Sequence, residues 1–392
     1  MMRKAAAVLI MSMILFGSVS YGLVEAKSYT TLPQAVWSQK PNADYLAVNE
    51  DIFYVPEKNT LYIHLQEEKF SATKAWSPDS LRAIDPETGK VKWAFSFAKA
   101  GYGWPSTKDP FVYAPDGTVY AYFSFEKLLY SVSPSGKENW SKQLSTDIPL
   151  NGKLYRMADG TLIIAAEKSA VSGKEAVQFI GFDKNGKQKF NKVVAGKLVT
   201  VTNGQLIVEA PAKANMQADV YNASLQRVFQ HAFPKDVYVN FHTTFALADG
   251  TIVFPVSSKQ KTNMLLAISP NGKTVWERKT GQQELAFPSG SGYLLLDYSA
   301  KKLSYYNQKG LVKARVLSNF TIPEGDVLPR AHTTADGKLF VDLVSRQYVF
   351  DPKTLTAIHE FDLKTSGYVL DYRNNSVFVY WKESKISKHI LK

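Results

Sequence analysis

The sequence predicts an all-β fold, an eight-bladed β-propeller of four-stranded antiparallel blades. Three observations carry this: a turn-and-aromatic unit recurs along the chain, a second tight turn precedes each copy, and no helical periodicity separates them. The unit is clearest at residues 81–93, "LRAIDPETGKVKW", with looser copies "LLYSVSPSGKENW" from Leu128 and "MLLAISPNGKTVW" from Met264. Its turns fall at Asp85, Ser133, Asp183, Asn222, Ser269, Asn307 and Asp351, a period of roughly 40–50 residues. Each copy is two alternating runs around a tight turn, the pattern of a β-hairpin. Pro at the second position presets φ, and Gly before Lys accepts the left-handed conformation that closes the turn.

The second hairpin of each blade comes first in the chain. "YAPDGTVYAYF", "RMADGTLIIAA", "TVTNGQLIVEA", "ALADGTIVFPV", "PSGSGYLLLDY" and "TTADGKLFVDL" all place Asp-Gly, Asn-Gly or a Gly pair between apolar runs. "YVPEKNTLYIHLQ" supplies the first inner hairpin. "DYRNNSVFVYWKESKISKHIL" supplies the last one and a third strand, after which the chain stops. "QAVWSQK" around Trp37 resembles "KENWSKQ" around Trp140, so a strand from the N-terminal region is expected to complete the last blade and remove an exposed edge. That count gives eight blades, or seven if the divergent unit around Asn307 packs irregularly.

Four residues past the turn glycine stand Trp93, Trp140 and Trp276, with Phe190, Phe229, Ala314 and His359 at the corresponding places elsewhere. A large ring here can lie over the next blade's turn. Trp37, Trp93, Trp140 and Trp276 are therefore expected to dock blade on blade rather than to stack on a ligand.

Composition bounds the setting. The chain has 392 residues, 45% of them hydrophobic, enough for a large core. Residues 1–26 run from Arg3 and Lys4 through an apolar stretch to Ala26, the order of a secretory signal peptide, and 27–392 form one propeller domain. No later segment is long and apolar enough to span a membrane. With no Cys there is no disulfide framework and no lipid-attachment cysteine, which fits a bacterial secreted or cell-wall-associated protein. The net charge of +12 is spread over turns and alternate strand positions, unlike the concentrated arm or helix of a nucleic-acid binder.

The stretch from Ala83 to Trp93, "AIDPETGKVKW", matches the A-x-D-x-x-T-G-K-x-x-W docking motif of quinoprotein propellers, and the mature chain resembles PQQ-like (pyrroloquinoline-quinone-like) β-propeller repeat proteins. That group includes quinoprotein alcohol dehydrogenases and a non-enzymatic scaffold lipoprotein of outer-membrane assembly, so the resemblance implies a fold and leaves the activity open. The dehydrogenases hold their quinone with a Trp and, commonly, a disulfide of adjacent cysteines, and a Ca²⁺ with carboxylates. This chain has no Cys, lacks their length and shows no such carboxylate cluster, so neither PQQ nor calcium is expected. "DKNGK" from Asp183 opens like a calcium loop but lacks the later acidic ligands and reads as a turn. The Ser-to-Trp segments resemble sialidase boxes only through shared hairpin geometry. Six His form no zinc spacing, and no metal site is expected.

A site is expected where the connections are long. The tight turns share one face, and the other face collects "FAKAGYGWPSTKDP", "AAEKSAVSGKEA", "AFPKDVYVNFHTT" and "SNFTIPEGDVLPRAHTT". Tyr102, Trp104, Tyr238, His242, Arg330 and His332 lie on these pieces, an aromatic and basic set suited to carbohydrate, peptide or anionic polymer. The two His are expected to start innermost strands, each within His-Thr-Thr. These features predict a binding or scaffold module whose partner is an extracellular protein, peptide or anionic wall polymer, with no nucleic acid. The alternative is an enzyme at the channel mouth, a degenerate quinoprotein oxidoreductase or a glycan-active hydrolase or lyase.

Overall fold

The computed structural model describes residues 27–39, 45–67, 70–71, 74–75, 80–97, 111–168, 175–202, 204–211, 215–258, 263–281, 284–289, 292–297, 299–307, 309–316, 330–334, 336–342, 346–362, 367–381 and 385–391. The expected signal peptide over residues 1–26 lies outside them. Eight four-stranded antiparallel blades follow one another around a ring. Blades 1 to 7 span 45–96, 111–143, 153–195, 197–232, 237–280, 284–316 and 330–361, each running from an innermost to an outermost strand. Blade 8 takes its three inner strands from 367–390 and its outermost from Ala35–Gln39, which pairs antiparallel with Lys385–Ile390. The seven-blade alternative falls, because the unit around Asn307 forms an ordinary blade 6.

The second and third strands carry the core. In blade 2, Val119–Phe123 and Leu128–Val132 are buried at every position, because both faces of a blade press on neighbours. The buried side chains fall into eight clusters, one at each seam between adjacent blades, including the seam between blades 8 and 1. A ring with every seam filled is closed.

The inner turns share one device. Asp116, Asp159 and Asp249 each accept a hydrogen bond through Oδ1 from the backbone N–H two residues on, at 2.9–3.0 Å, holding the turn that Gly closes. The outer strands share another. Each is bulged against the third strand one residue ahead of the docking position, which turns that side chain toward the next blade. In blade 6 this places Lys313, not Ala314, at the docking position. The Asn307-to-Gly310 turn is shorter than the others, so counting from its glycine overshoots by one residue.

Docking takes two contacts in its fullest form. The ring of Trp37 lies over Gly89 of blade 1, that of Trp93 over Gly136 of blade 2, and that of Trp140 over Gly186 of blade 3. Their Nε1 atoms donate to the carbonyls of Pro86, Pro134 and Lys184 at 3.0, 2.8 and 3.0 Å. Two residues further on, Gln39 and Lys142 donate to the carbonyls of Gly89 and Gly186. Phe229 covers Gly272 without a donor. Trp276 has no glycine to cover. It stacks on Tyr293 at 5.4 Å with the Arg278 guanidinium 5.3 Å from its ring, and its buried Nε1 has no acceptor among the described residues.

One feature of closure goes beyond the expected strand. Lys27–Tyr29 adds to the outer edge of blade 7 as a fifth strand, parallel to Thr356–Phe361. Two buried histidines sit under this N-terminal segment. His389 joins Pro33 O through Nδ1 at 2.6 Å and Ser387 Oγ through Nε2 at 2.7 Å, and His359 lies among Tyr29, Phe361 and Tyr372. Burial pushes both imidazoles below their usual pKa, Lys385 adding to the effect at His389 and Lys27 at His359. The unfolded chain therefore binds these protons more readily, so their contribution is present above about pH 6.5 and is lost as pH falls through the lowered folded values. The melting temperature is expected to drop between pH 7 and 5, and His389→Gln to flatten that slope. An unchanged slope in the variant would remove His389 from the acid response.

Candidate functional site

The two faces of the ring differ as the turn chemistry dictates. One carries the tight turns, and the other carries the connections between second and third strands and between blades. Of the six expected site residues, Tyr102 and Trp104 lie outside the described residues. Tyr238 stands on Val237–Val239, the first half of the innermost strand of blade 5, and its side chain is 65% exposed. His242 does not start a strand. It falls in a 3-10 turn, Phe241–Thr243, that splits the innermost strand of blade 5 in two, with the second half at Phe245–Ala246. Phe241 anchors that turn by packing its buried ring on Phe233 and Phe254. Arg330 and His332 do belong to the innermost strand of blade 7, in register with Asp342 and Phe340. The expected set is thus divided into two pairs, with blade 6 between them.

Beside Arg330 the face holds buried polar groups. Asp342, 6% exposed, accepts the hydroxyl proton of Tyr368 from blade 8. Gln347 bonds both backbone groups of Val369, accepting its N–H at 2.9 Å and donating to its C=O at 2.8 Å. Arg346 pairs with Glu360 at 2.6 Å and with Asp362 at 3.6 Å. The bonds of Asp342 and Gln347 tie blade 7 to blade 8, while the Arg346 pairs stay on the blade 7 side, and such satisfied groups rigidify more than they react.

A pocket of about 300 Å³ opens on the same face between blades 3 and 4, lined by Asn151, Glu167, Lys168, Glu175 and Lys197. Lys197 Nζ lies 2.9 Å from Glu175 Oε1. The hydrogen bond and the charge of Glu175, then the charges of Glu209 and Glu167, raise the Lys197 pKa and keep it a cation. Donors from Asn151, Lys168 and Lys197 thus converge with acceptors from two carboxylates in a space of ligand-pocket size. That set suits hydroxyls and amides better than an apolar group. Among the described residues, no three His, Asp or Glu gather as a metal-binding group.

Glu167, Lys168 and Glu175 flank a loop that its length had singled out, yet none was an expected site residue. Asn151 comes from the connection ahead of blade 3, and Lys197 opens the innermost strand of blade 4. Charges of both signs at the two ends of "EKSAVSGKE" were the available signal.

Residues 77–210 match the family model described as outer membrane protein assembly factor BamB. No curated protein matches the chain. Among solved structures, Sqt1 from Chaetomium thermophilum is 10% identical with a TM-score of 0.50, over 91% of this chain and all of that one (100%). A catalytically inactive virginiamycin B lyase from Staphylococcus aureus is 12% identical with a TM-score of 0.43, over 91% of this chain and 99% of that one. AztD from Citrobacter koseri is 12% identical with a TM-score of 0.46, over 80% and 86%. At such identities the likeness concerns the fold alone.

Proposed function

We propose, from the premise that the chain is a PQQ-like repeat β-propeller, that it is an exported binding or scaffold module for an extracellular or cell-wall ligand, a protein, peptide or polysaccharide. It works without quinone or calcium and has no nucleic-acid partner. The observation that supports this most is the pocket of Asn151, Glu167, Lys168, Glu175 and Lys197, on the same face as the exposed ring of Tyr238. Mixed donors and acceptors recognise hydroxyls and amides, and an exposed ring adds a stacking surface for a sugar or a side chain. The charge of +12 attracts anionic wall material toward either. Residues 1–26 serve export, so the mature protein begins at Lys27 when sequenced from the culture medium.

Retention of the purified mature protein on isolated cell-wall material tests the reading. Tyr238→Ala and Lys197→Ala are each expected to weaken retention by about tenfold, with the Lys197 part reduced by salt and the melting temperature unchanged. If both variants bind like the parent while Asp116→Ala on the turn face abolishes retention, the site has been placed on the wrong side. Reduction of a dye after adding pyrroloquinoline quinone, Ca²⁺ and an alcohol or sugar would establish the oxidoreductase alternative instead.

A further inference from the structure

The perimeter of the ring carries a surface that the loop-face reading does not use. Among the described residues every outer strand except that of blade 7 ends its sheet, and such edges are usually guarded by charge or cover. Blade 7 is covered by Lys27–Tyr29. Blade 5 presents Glu277 and Lys279 outward, and blade 2 presents Glu138 and Gln143. The outer strand of blade 6, Gly310–Val316, is different. Its exposed positions are Leu311, Val312, Ala314 and Val316, with Leu311 and Val312 each 54% and Val316 65% exposed. No other outer strand exposes more than one large apolar side chain among the described residues.

We propose that this edge is a docking site for an extended peptide strand of a partner protein, apolar at alternate positions and acidic between them. Two observations fix the occupant. The first is charge. From Tyr298 to Val316 the sequence holds Lys301, Lys302, Lys309, Lys313 and Arg315 and no Asp or Glu, so the edge is both apolar and basic. The second is a precedent in the same molecule. On the adjacent blade, Lys27–Tyr29 pairs with the equivalent edge in parallel register, Lys27 opposite His359 and Tyr29 opposite Phe361, and Tyr29 O accepts the N–H of Asp362 at 3.0 Å. The outer edges of this ring therefore accept a short added strand. Main-chain hydrogen bonds supply the affinity of such an addition, and alternate side chains supply its selectivity. A second copy of the chain is a poorer occupant, because edge-to-edge pairing would bring the Lys309 and Lys313 charges of two identical strands together.

The test uses the mature protein and a fluorescein-labelled peptide of about eight residues alternating valine and glutamate, read by polarisation. Three results are expected. N-methylation of alternate peptide amides weakens binding at least tenfold, Val316→Glu does the same, and Val193→Glu on the outer strand of blade 3 leaves binding unchanged. Val316 and Val193 are both exposed, so neither change threatens folding, and the N-methylated peptide tests strand pairing without any variant. Equal binding of the N-methylated peptide would show adsorption of a polyanion and overturn the proposal. So would a parent that sediments as a dimer which Val316→Glu dissociates, since the occupant would then be a second copy. Equal loss in Val193→Glu would also overturn it, by placing the effect in overall charge.

Discussion

Removal of residues 27–39 is expected to cost the fold more than any single substitution, about 5 kcal/mol or more, from the loss of a half-buried Trp together with a strand's hydrogen bonds. The segment supplies the outermost strand of blade 8, and its Trp37 joins the cluster at the seam between blades 8 and 1. There the ring packs over Gly89 and lies 6.1 Å from Phe378, while Nε1 holds Pro86 O and the Gln39 amide holds Gly89 O. What remains at the seam is the apolar cluster without Trp37 and three contacts of charged groups, Lys388 paired with Glu87 at 2.5 Å, Arg373 bonded to Asn59, and Arg373 over the Tyr54 ring. With Glu87 and Asn59 exposed, those contacts hold less than a strand. The deletion also bares Lys385–Ile390 as a new edge and lifts the cover from His389. Against a typical domain stability of about 5–15 kcal/mol, the truncated chain should be largely unfolded or aggregated. Urea unfolding followed by tryptophan fluorescence measures it. A truncated protein with the parent midpoint would make the segment a tail.

The repeat made the ring legible because hairpins are local. Asp-Gly and Pro-x-Gly turns fix strand pairs within about a dozen residues, and two such hairpins in succession mark a blade. Even the long-range closure could be read, since Trp37 sits in a copy of the sequence around Trp140 that lacks its own turn. What could not be read depends on contacts between units. The shortened turn at Asn307 moved the docking place from Ala314 to Lys313. The split strand that carries His242 follows from Phe241 finding a pocket between Phe233 and Phe254. Lys27–Tyr29 is too short to announce itself as a strand, and only the edge of blade 7 makes it one. The candidate site fared similarly. Tyr238 could be singled out in the sequence because an aromatic in a long connection is a local signal. Lys197 was missed because its partner Glu175 lies across blade 3 in the chain, at the start of another strand.

Trp93→Ala is expected to destabilise by about 3 kcal/mol, the low end of the ~3–5 range for a buried Trp because this ring is only half-buried. Three of its contacts are lost together: the ring over Gly136, the Nε1 bond to Pro134 O at 2.8 Å, and the tilted contact with Tyr62 at 5.7 Å. Gly136 is the other half of the joint. Its φ is +79°, and a Cβ there would stand 2.6 Å from the Trp93 ring, so Gly136→Ala should also destabilise, through both backbone strain and the clash. With Trp93 truncated to Ala, the clash with the ring disappears, and what remains is the contact with the retained Cβ at 2.8 Å and the backbone cost. The double variant should therefore lose less than the two single losses combined, by about 1 kcal/mol or more. Trp276 gives the contrast. Its buried Nε1 has no acceptor among the described residues, so Trp276→Phe should be close to neutral, whereas Trp93→Phe should lose the worth of one hydrogen bond, about 1 kcal/mol. Chemical unfolding of the five variants separates the two kinds of joint. Strictly additive losses at Trp93 and Gly136, or equal costs for the two Phe substitutions, would mean that the ring-over-glycine contact is not what holds blade 1 to blade 2.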